Sequence, residues 1–309
     1  MAEEIEAATK RAKVRRTKVL RWIGIPWATF YRYLRSKPRR SRKRIKTAGD
    51  TKLIDRLKRL VESHPTYGYR KIWALCKRSG LDLSPSKVYR LLKGEGLLLP
   101  RPQEKRAKRS QVTFEKPDGL NQLWQLDITY LWIELYGFHY AITVIDYFSR
   151  YVLTTLFSES HTTQDVVRAL EKAREEAIKI HGSLPETITL VTDNGPQMTS
   201  KGFLEYLRNS GHFKHVRISY RHPTSIGLIE RFHRTLKEEE VWVKGYRDPI
   251  EARRSITRFI KEYNYQRPHQ SLGYATPWEV YRPGAGRGGE KLPEERRLTS
   301  LVPILSHSR

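Results

Sequence analysis

Residues Leu123–Ile133 read LWQLDITYLWI. The run is rich in aromatic and β-branched residues and is bounded by polar segments, the pattern of a buried strand. Asp127 sits in its middle. An ionised carboxylate in a core strand is costly unless something positive holds it. No Lys or Arg lies between Lys116 and Arg150, so that partner must come from elsewhere in the fold or be a metal ion. The plain alternative is an Asp capping a turn at a strand edge. It weakens because the rest of the chain offers further carboxylates in suitable contexts.

Outward from this strand the composition divides the chain. Of 309 residues, enough for two or three domains, 59 are Lys or Arg and 33 Asp or Glu, a net charge of +26. Residues 1–120 hold 33 Lys and Arg against 11 Asp and Glu, a net of +22; the remainder carries +4. A front end of this charge is a polyanion binder, with nucleic acid as its default partner. Cys76 is the one cysteine, which excludes an intrachain disulfide framework and fits a reducing interior. No apolar run approaches membrane-spanning length, and the first residues are not patterned as a signal peptide.

In the basic front, Lys18–Leu34 reads as two short helices around Gly24-Ile25-Pro26, a helix-turn-helix pattern with Tyr31 and Arg32 on its second helix. Ser36–Lys46 is a basic linker. A second helical unit follows. Leu53, Ile54, Leu57, Leu60 and Val61 repeat at helical spacing after Asp50 or Thr51 as cap. Tyr69–Lys77 continues it, and Ser84-Pro85 opens SKVYRLLK, with Lys87 and Arg90 facing outward as a recognition helix requires. The competing reading is an ordinary three-helix bundle with a solvated basic face. The charge excess favours DNA.

Beyond Leu123, strand and helix alternate. Strands are expected at 138–145, 151–157, 187–192 and 215–219, with a helix at 162–180. Asp146 to Arg150 joins two strands as a hairpin, and a local turn cap or ion pair with Arg150 accounts for Asp146. The strand ending at Thr192 stops at Asp193-Asn194-Gly195-Pro196, a typical site position in an α/β sheet, although plain turn chemistry also suits it. From Leu228 an amphipathic helix puts Ile229, Phe232 and Leu236 on one face. Glu230, His233 or Arg234, and Lys237 lie on another, where basic groups could reach phosphate. Asp248-Pro249-Ile250-Glu251 starts a further helix, and Asn264–Tyr281 is irregular and aromatic.

Asp127, Asp193 and Glu230 then come from a strand, a strand end and a helix. Three carboxylates without a thiol or His cluster suit Mg²⁺ or Mn²⁺ rather than Zn²⁺. Two such ions about 4 Å apart would activate an attacking oxygen and stabilise the leaving 3′ oxygen of a phosphodiester. In a basic chain, that chemistry is phosphoryl transfer on nucleic acid.

WQLDITY, VIDYFSRYV, VTDNGPQ, GLIERFHRTLKEE and YNYQRPHQSLGYATP together resemble the integrase core of bacterial insertion-sequence DDE transposases, kin to retroviral integrases. YGYRKIWALCKRSGLDLSPSKVYRLLK resembles the helical domain that precedes that core. The resemblance spans residues 18 to 281, with five core motifs in order. Ile226 stands before Gly227 where the family usually has Asn, and one cysteine cannot build the zinc domain of retroviral integrases.

The resemblance implies an α/β protein, a ribonuclease H-like integrase core of a mixed five-stranded sheet with flanking helices, preceded by small all-α helix-turn-helix domains. Its expected divisions are a helix-turn-helix-like segment with basic linker (1–47), a helical DNA-binding domain (48–98), a basic linker (99–120), the catalytic core (121–281) and a tail (282–309). Asp127, Asp193 and Glu230 would be the catalytic carboxylates and would hold two Mg²⁺ or Mn²⁺ ions. Tyr31, Arg32, Arg70, Lys87, Arg90, His233, Arg234 and Lys237 are the expected DNA contacts. Expected partners are double-stranded DNA (element terminal repeats and target), further copies of the chain on that DNA, and a protein from an upstream reading frame, with no membrane. The expected setting is the bacterial cytoplasm, at the nucleoid. A nuclease that only hydrolyses and a non-catalytic DNA binder are the competing functions.

Overall fold

The computed structural model describes residues 48–99, 117–217 and 227–284. The helix-turn-helix pattern at 18–34, with Tyr31 and Arg32, lies outside the described residues, as do most of the 99–120 linker and the tail beyond Gly284. Among the described residues, no helix is long and apolar enough to cross a membrane.

Leu123–Ile133 is strand β1, at the centre of a five-stranded sheet. Strands β2 (Gly137–Asp146), β3 (Val152–Ser158), β4 (Ile188–Thr192) and β5 (Phe213–Arg217) complete it in the order β3-β2-β1-β4-β5. β1 pairs antiparallel with β2, from Trp124↔Asp146 to Ile133↔Gly137, and parallel with β4. β5 begins two residues before the expected His215, because parallel pairing sets Phe213 opposite Ile188. Alternation along β1 feeds two cores. Trp124 and Leu126 pack with helix α4 (Thr163–His181) and with Phe203 and Leu207 of α5 (Lys201–Ser210). Leu131 and Ile133 pack on the opposite face with Ile229, Phe232 and Leu236 of α6 (Gly227–Leu236) and with Ile256, Phe259 and Tyr263 of α7 (Pro249–Tyr265). Asp127 shares the parity of Leu131 and Ile133, so it faces α6. Each fully buried large aliphatic side chain contributes about 1.5–3 kcal/mol, so the two cores bind the strand from both sides.

Caps set the helix ends. At the start of α4, the Thr162 hydroxyl accepts from the Asp165 N–H, and the Asp165 carboxylate accepts from the Thr162 N–H. The Asp248 carboxylate receives the Glu251 N–H at 2.7 Å to open α7. Thr276 and Glu279 form a second capping box, opening α8 (Pro277–Tyr281) inside the segment expected to be irregular. Thr-Pro followed by Glu at the third helical position is sufficient local signal for that turn. After Leu236 the α6 rod widens to i→i+5 winding over Lys237–Val241 and resumes over Trp242–Lys244.

The helical unit comprises α1 (Ala48–Ser63), α2 (Tyr69–Arg78) and α3 (Pro85–Gly94). Ser84 caps α3 by accepting the Lys87 N–H at 3.2 Å. Leu57, Ile72, Cys76, Val88 and Leu92 form the unit's interior. From Ile54 onward the described residues belong to one compact unit. α2 lies against the C-terminal end of the core. Arg78 grips Glu279 with two hydrogen bonds of 2.8 and 2.9 Å, and the Trp73 ring meets Tyr274 edge-on.

Asp146 is fully buried at the end of β2. Its carboxylate accepts the Asn121 N–H at 2.9 Å, the Ser149 N–H at 2.8 Å and the Ser149 hydroxyl at 2.6 Å, closing the β2–β3 hairpin. The register puts Thr143, not Asp146, opposite Asp127. Burial pushes the Asp146 carboxyl up to about 6, against the pull of these hydrogen bonds. The folded protein therefore binds this proton more tightly than the unfolded chain, and stability falls as pH rises from about 4 to about 6. An Asp146→Asn variant should lack that slope. It should lose about 1–3 kcal/mol at pH 7 in urea unfolding, because an amide turns a donor toward buried N–H groups. Unchanged stability at pH 7 would show that Asp146 does not close the hairpin.

Candidate active site

Parallel pairing of β1 with β4 runs to Gln125↔Val191. Asp127 and Asp193 each lie two residues beyond that pair, on adjacent chains running the same way. The Asp127 charge reaches Asp193. Burial raises the Asp193 carboxyl above its ordinary value, the Gly195 N–H opposes this, and the Asp127 charge adds to the rise. Asp193 Oδ1 accepts the Gly195 N–H at 3.0 Å in a tight Asx turn. A Cβ at position 195 would stand 3.1 Å from both Asp193 Oδ1 and Gln197 Oε1, so glycine lets the turn close on the carboxylate.

Asp127 Oδ1 accepts the Ile128 N–H at 2.9 Å, and its Oδ2 lies 3.3 Å from His233 Nδ1. The side chain that meets Asp127 is thus a histidine on α6, 106 positions later. His233 is buried, and its Nε2 has no hydrogen-bond partner among the described residues. Gln125, on the same face of β1, accepts the Ile229 N–H at 3.0 Å. Two contacts, Gln125 to Ile229 and Asp127 to His233, therefore seat the first turns of α6 on β1. Glu230 is in that first turn, one turn before His233 on the same side of the helix.

The structure brings Asp127 and Asp193 together. Glu230 is exposed on α6, and among the described residues no three His, Cys, Asp or Glu side chains converge into one metal-holding group. Of the expected DNA contacts, Arg70, Arg90 and Arg234 are exposed, while Lys87 and Lys237 are half-buried. His233 points inward to Asp127 instead. Sequence reasoning missed the Gln125 anchor, although a polar residue two positions from Asp127 on a buried strand was its signal.

Family models match this architecture. Residues 117–223 match an integrase core domain, residues 212–277 match a second integrase core domain model, and residues 49–105 match an HTH-like domain. Integrase core models thus match the chain across residues 117–277, behind a match to an HTH-like domain. The chain is 29% identical over 269 residues to a 48.2 kDa protein of insertion element IS2A from Escherichia coli, covering 80% of this chain and 59% of that one. At the same identity it is similar to the transposase InsD of Escherichia coli IS2 elements, over 80% of this chain and 83% of the relative. Among solved structures, it is similar to a chain of the simian T-cell lymphotropic virus intasome. There the TM-score is 0.48 and the identity 19%, over 75% of this chain and 77% of that chain.

Proposed function

We propose that this chain is the transposase of an insertion element, a polynucleotidyl transferase that cleaves DNA at the element ends and joins the freed 3′ hydroxyls to target DNA. The observation that carries this reading is the Asp127–Asp193 pair. Two carboxylates stand at matched positions just beyond the paired stretch of two adjacent parallel strands, and Asp193 is raised by burial and by its neighbour's charge. Such a pair calls for a cation. Hard oxygen donors without thiols fit Mg²⁺ or Mn²⁺, with Glu230 as the third ligand. When bound, two such ions would polarise the scissile phosphate and stabilise both the entering and the leaving oxygen.

The chain's own residues do the rest. Asp127 and Asp193 supply the ligand oxygens, and His233 holds one Asp127 oxygen in place. Glu230 arrives on the rod seated by Gln125. Arg234 and Lys237, on the same rod, contact terminal phosphate. In cleavage, a water oxygen bonds to phosphorus, the bond to the 3′ oxygen breaks and a proton passes to solvent. In joining, the 3′ hydroxyl replaces the water.

Residues 48–98 read the element ends, with Lys87 and Arg90 on α3 and Arg70 on α2 toward DNA, and residues 121–281 carry the chemistry. The charge of 1–120 supplies salt-dependent affinity. Further copies of the chain assemble on paired ends, a protein from an upstream reading frame is the candidate partner, and the nucleoid is where the chain acts.

A labelled duplex carrying the element's terminal sequence, incubated with Mg²⁺ and target DNA, tests the reading. Wild-type protein should give joined product. Glu230→Gln should give neither nicked nor joined product while binding the duplex as tightly as wild type. Nicked product without joining would make the chain a nuclease, and an active Glu230→Gln variant would remove Glu230 from the site.

A further inference from the structure

Two sequence motifs have no part in this chemistry: Tyr67-Gly-Tyr-Arg-Lys71, leading into α2, and Gln266-Arg-Pro-His269, after α7. They meet at one side chain. Glu239, 11% exposed, lies in the widened turn of the α6 rod. Arg267 grips it with a two-toothed contact, Nε to Oε2 at 2.8 Å and Nη2 to Oε1 at 2.7 Å. Lys71 Nζ, from the helical unit, donates to the same Oε1 at 2.9 Å. Lys71 also stands 4.5 Å from the centre of the Tyr67 ring, and Arg267 packs over Tyr67 and Tyr263. His269 completes the cluster, its Nε2 3.3 Å from Arg267 Nη1. Burial pulls His269 down to about 2, helped by Arg267 and Lys71, so its neutral ring accepts that bond.

We propose that Glu239 is a positioning residue through which the helical unit sets the register of the rod that carries Glu230. This rests on the transposase reading above. Arg267 ties Glu239 to the core, and Lys71 ties it to the unit that takes up the element end, so one carboxylate joins DNA capture to the active-site helix. The widened turn gives that rod a place to shift, since such turns interrupt the regular i→i+4 ladder and concentrate at functional sites. Lys71 is poorly placed as a simple stabiliser. Burial and the Arg267 charge push its ammonium below the ordinary value in spite of Glu239. A contact balanced in this way adds little stability and suits a device that specifies register.

The test uses full-length protein, the terminal duplex and Mg²⁺, with hydrogen exchange of residues 227–244 as a readout independent of activity. In wild type the duplex should slow exchange there. Lys71→Met should bind the duplex within about twofold of wild type yet lose that slowing, and should join about tenfold less per bound complex, a coupling of ordinary size. Lys71→Arg, which keeps the charge, should restore both. The proposal is overturned if Lys71→Met keeps both the slowing and the joining. It is equally overturned if Lys71→Met loses duplex binding in proportion to joining, which would make Lys71 a DNA contact. A Glu230→Gln variant that still joins would sink the transposase assignment of Glu230 while leaving the exchange result standing.

Discussion

Asp193→Asn is expected to lower Mg²⁺-dependent joining about 10³-fold, because a metal clamp supplies several kcal/mol and each 1.36 kcal/mol is tenfold in rate. Duplex binding should not change. Stability should hold or rise, for a reason visible in the site: burial and the Asp127 charge both disfavour ionised Asp193. With the folded value raised, the protein binds this proton more tightly than the unfolded chain. The cost of ionisation therefore appears as pH rises through the ordinary carboxylate range, from about 4 upward. The stability advantage of the Asn variant should be present at pH 7 and vanish below that range. Mg²⁺ should raise the melting temperature of wild type and leave that of Asp193→Asn unmoved. Asp127→Asn should match it in joining. A variant that joins DNA at near wild-type rate would remove Asp193 from the site.

Arg267→Ala should cost about 3–5 kcal/mol, the usual penalty for removing one partner of a buried ion pair. It leaves Glu239 nearly enclosed, with Lys71 alone to satisfy it. At this chain length the melting temperature should fall by roughly 10 °C. The loss comes from stranding the carboxylate rather than from a strong pair, so Arg267→Met combined with Glu239→Gln, which still offers Lys71 an acceptor, should recover most of it. Burial pushes the Glu239 carboxyl up, but the Arg267 and Lys71 contacts more than offset this and hold it below the ordinary value. The stability it contributes is present above about pH 4.3 and is lost as pH falls through the folded value. The gap between wild type and Arg267→Ala should narrow in acid accordingly. If the single variant were as stable as the double, the cluster would not be held by charge.

The chain's own order of residues determined whatever depends on neighbours close in sequence. The aromatic and β-branched pattern of LWQLDITYLWI specifies a buried strand, and β1 is central, enclosed on both faces over Leu123–Leu126 but exposing Tyr130 and Trp132 toward its end. Thr162 with Asp165, Ser84 with Pro85, and Asp248 with Pro249 announce helix starts, since a cap is a bond between residues two or three apart. Asp146 was readable as a local turn cap or a partner of Arg150 for the same reason, and its carboxylate caps the turn through Ser149. Family resemblance singled out Asp127, Asp193 and Glu230, which no local rule could join.

Tertiary structure alone decided who meets whom. Parallel pairing of β1 with β4 sets Asp193 beside Asp127, and nothing in either segment states that register. His233 looked like a phosphate contact on a polar helix face, but packing of Ile229, Phe232 and Leu236 turns it in to Asp127. Lys71 and Glu239 are 168 positions apart. Charges at that separation carry no periodicity or cap that a sequence displays. Their pairing follows from closing the hydrophobic cores around them, after which a carboxylate out of water must take whatever cations the fold has brought near.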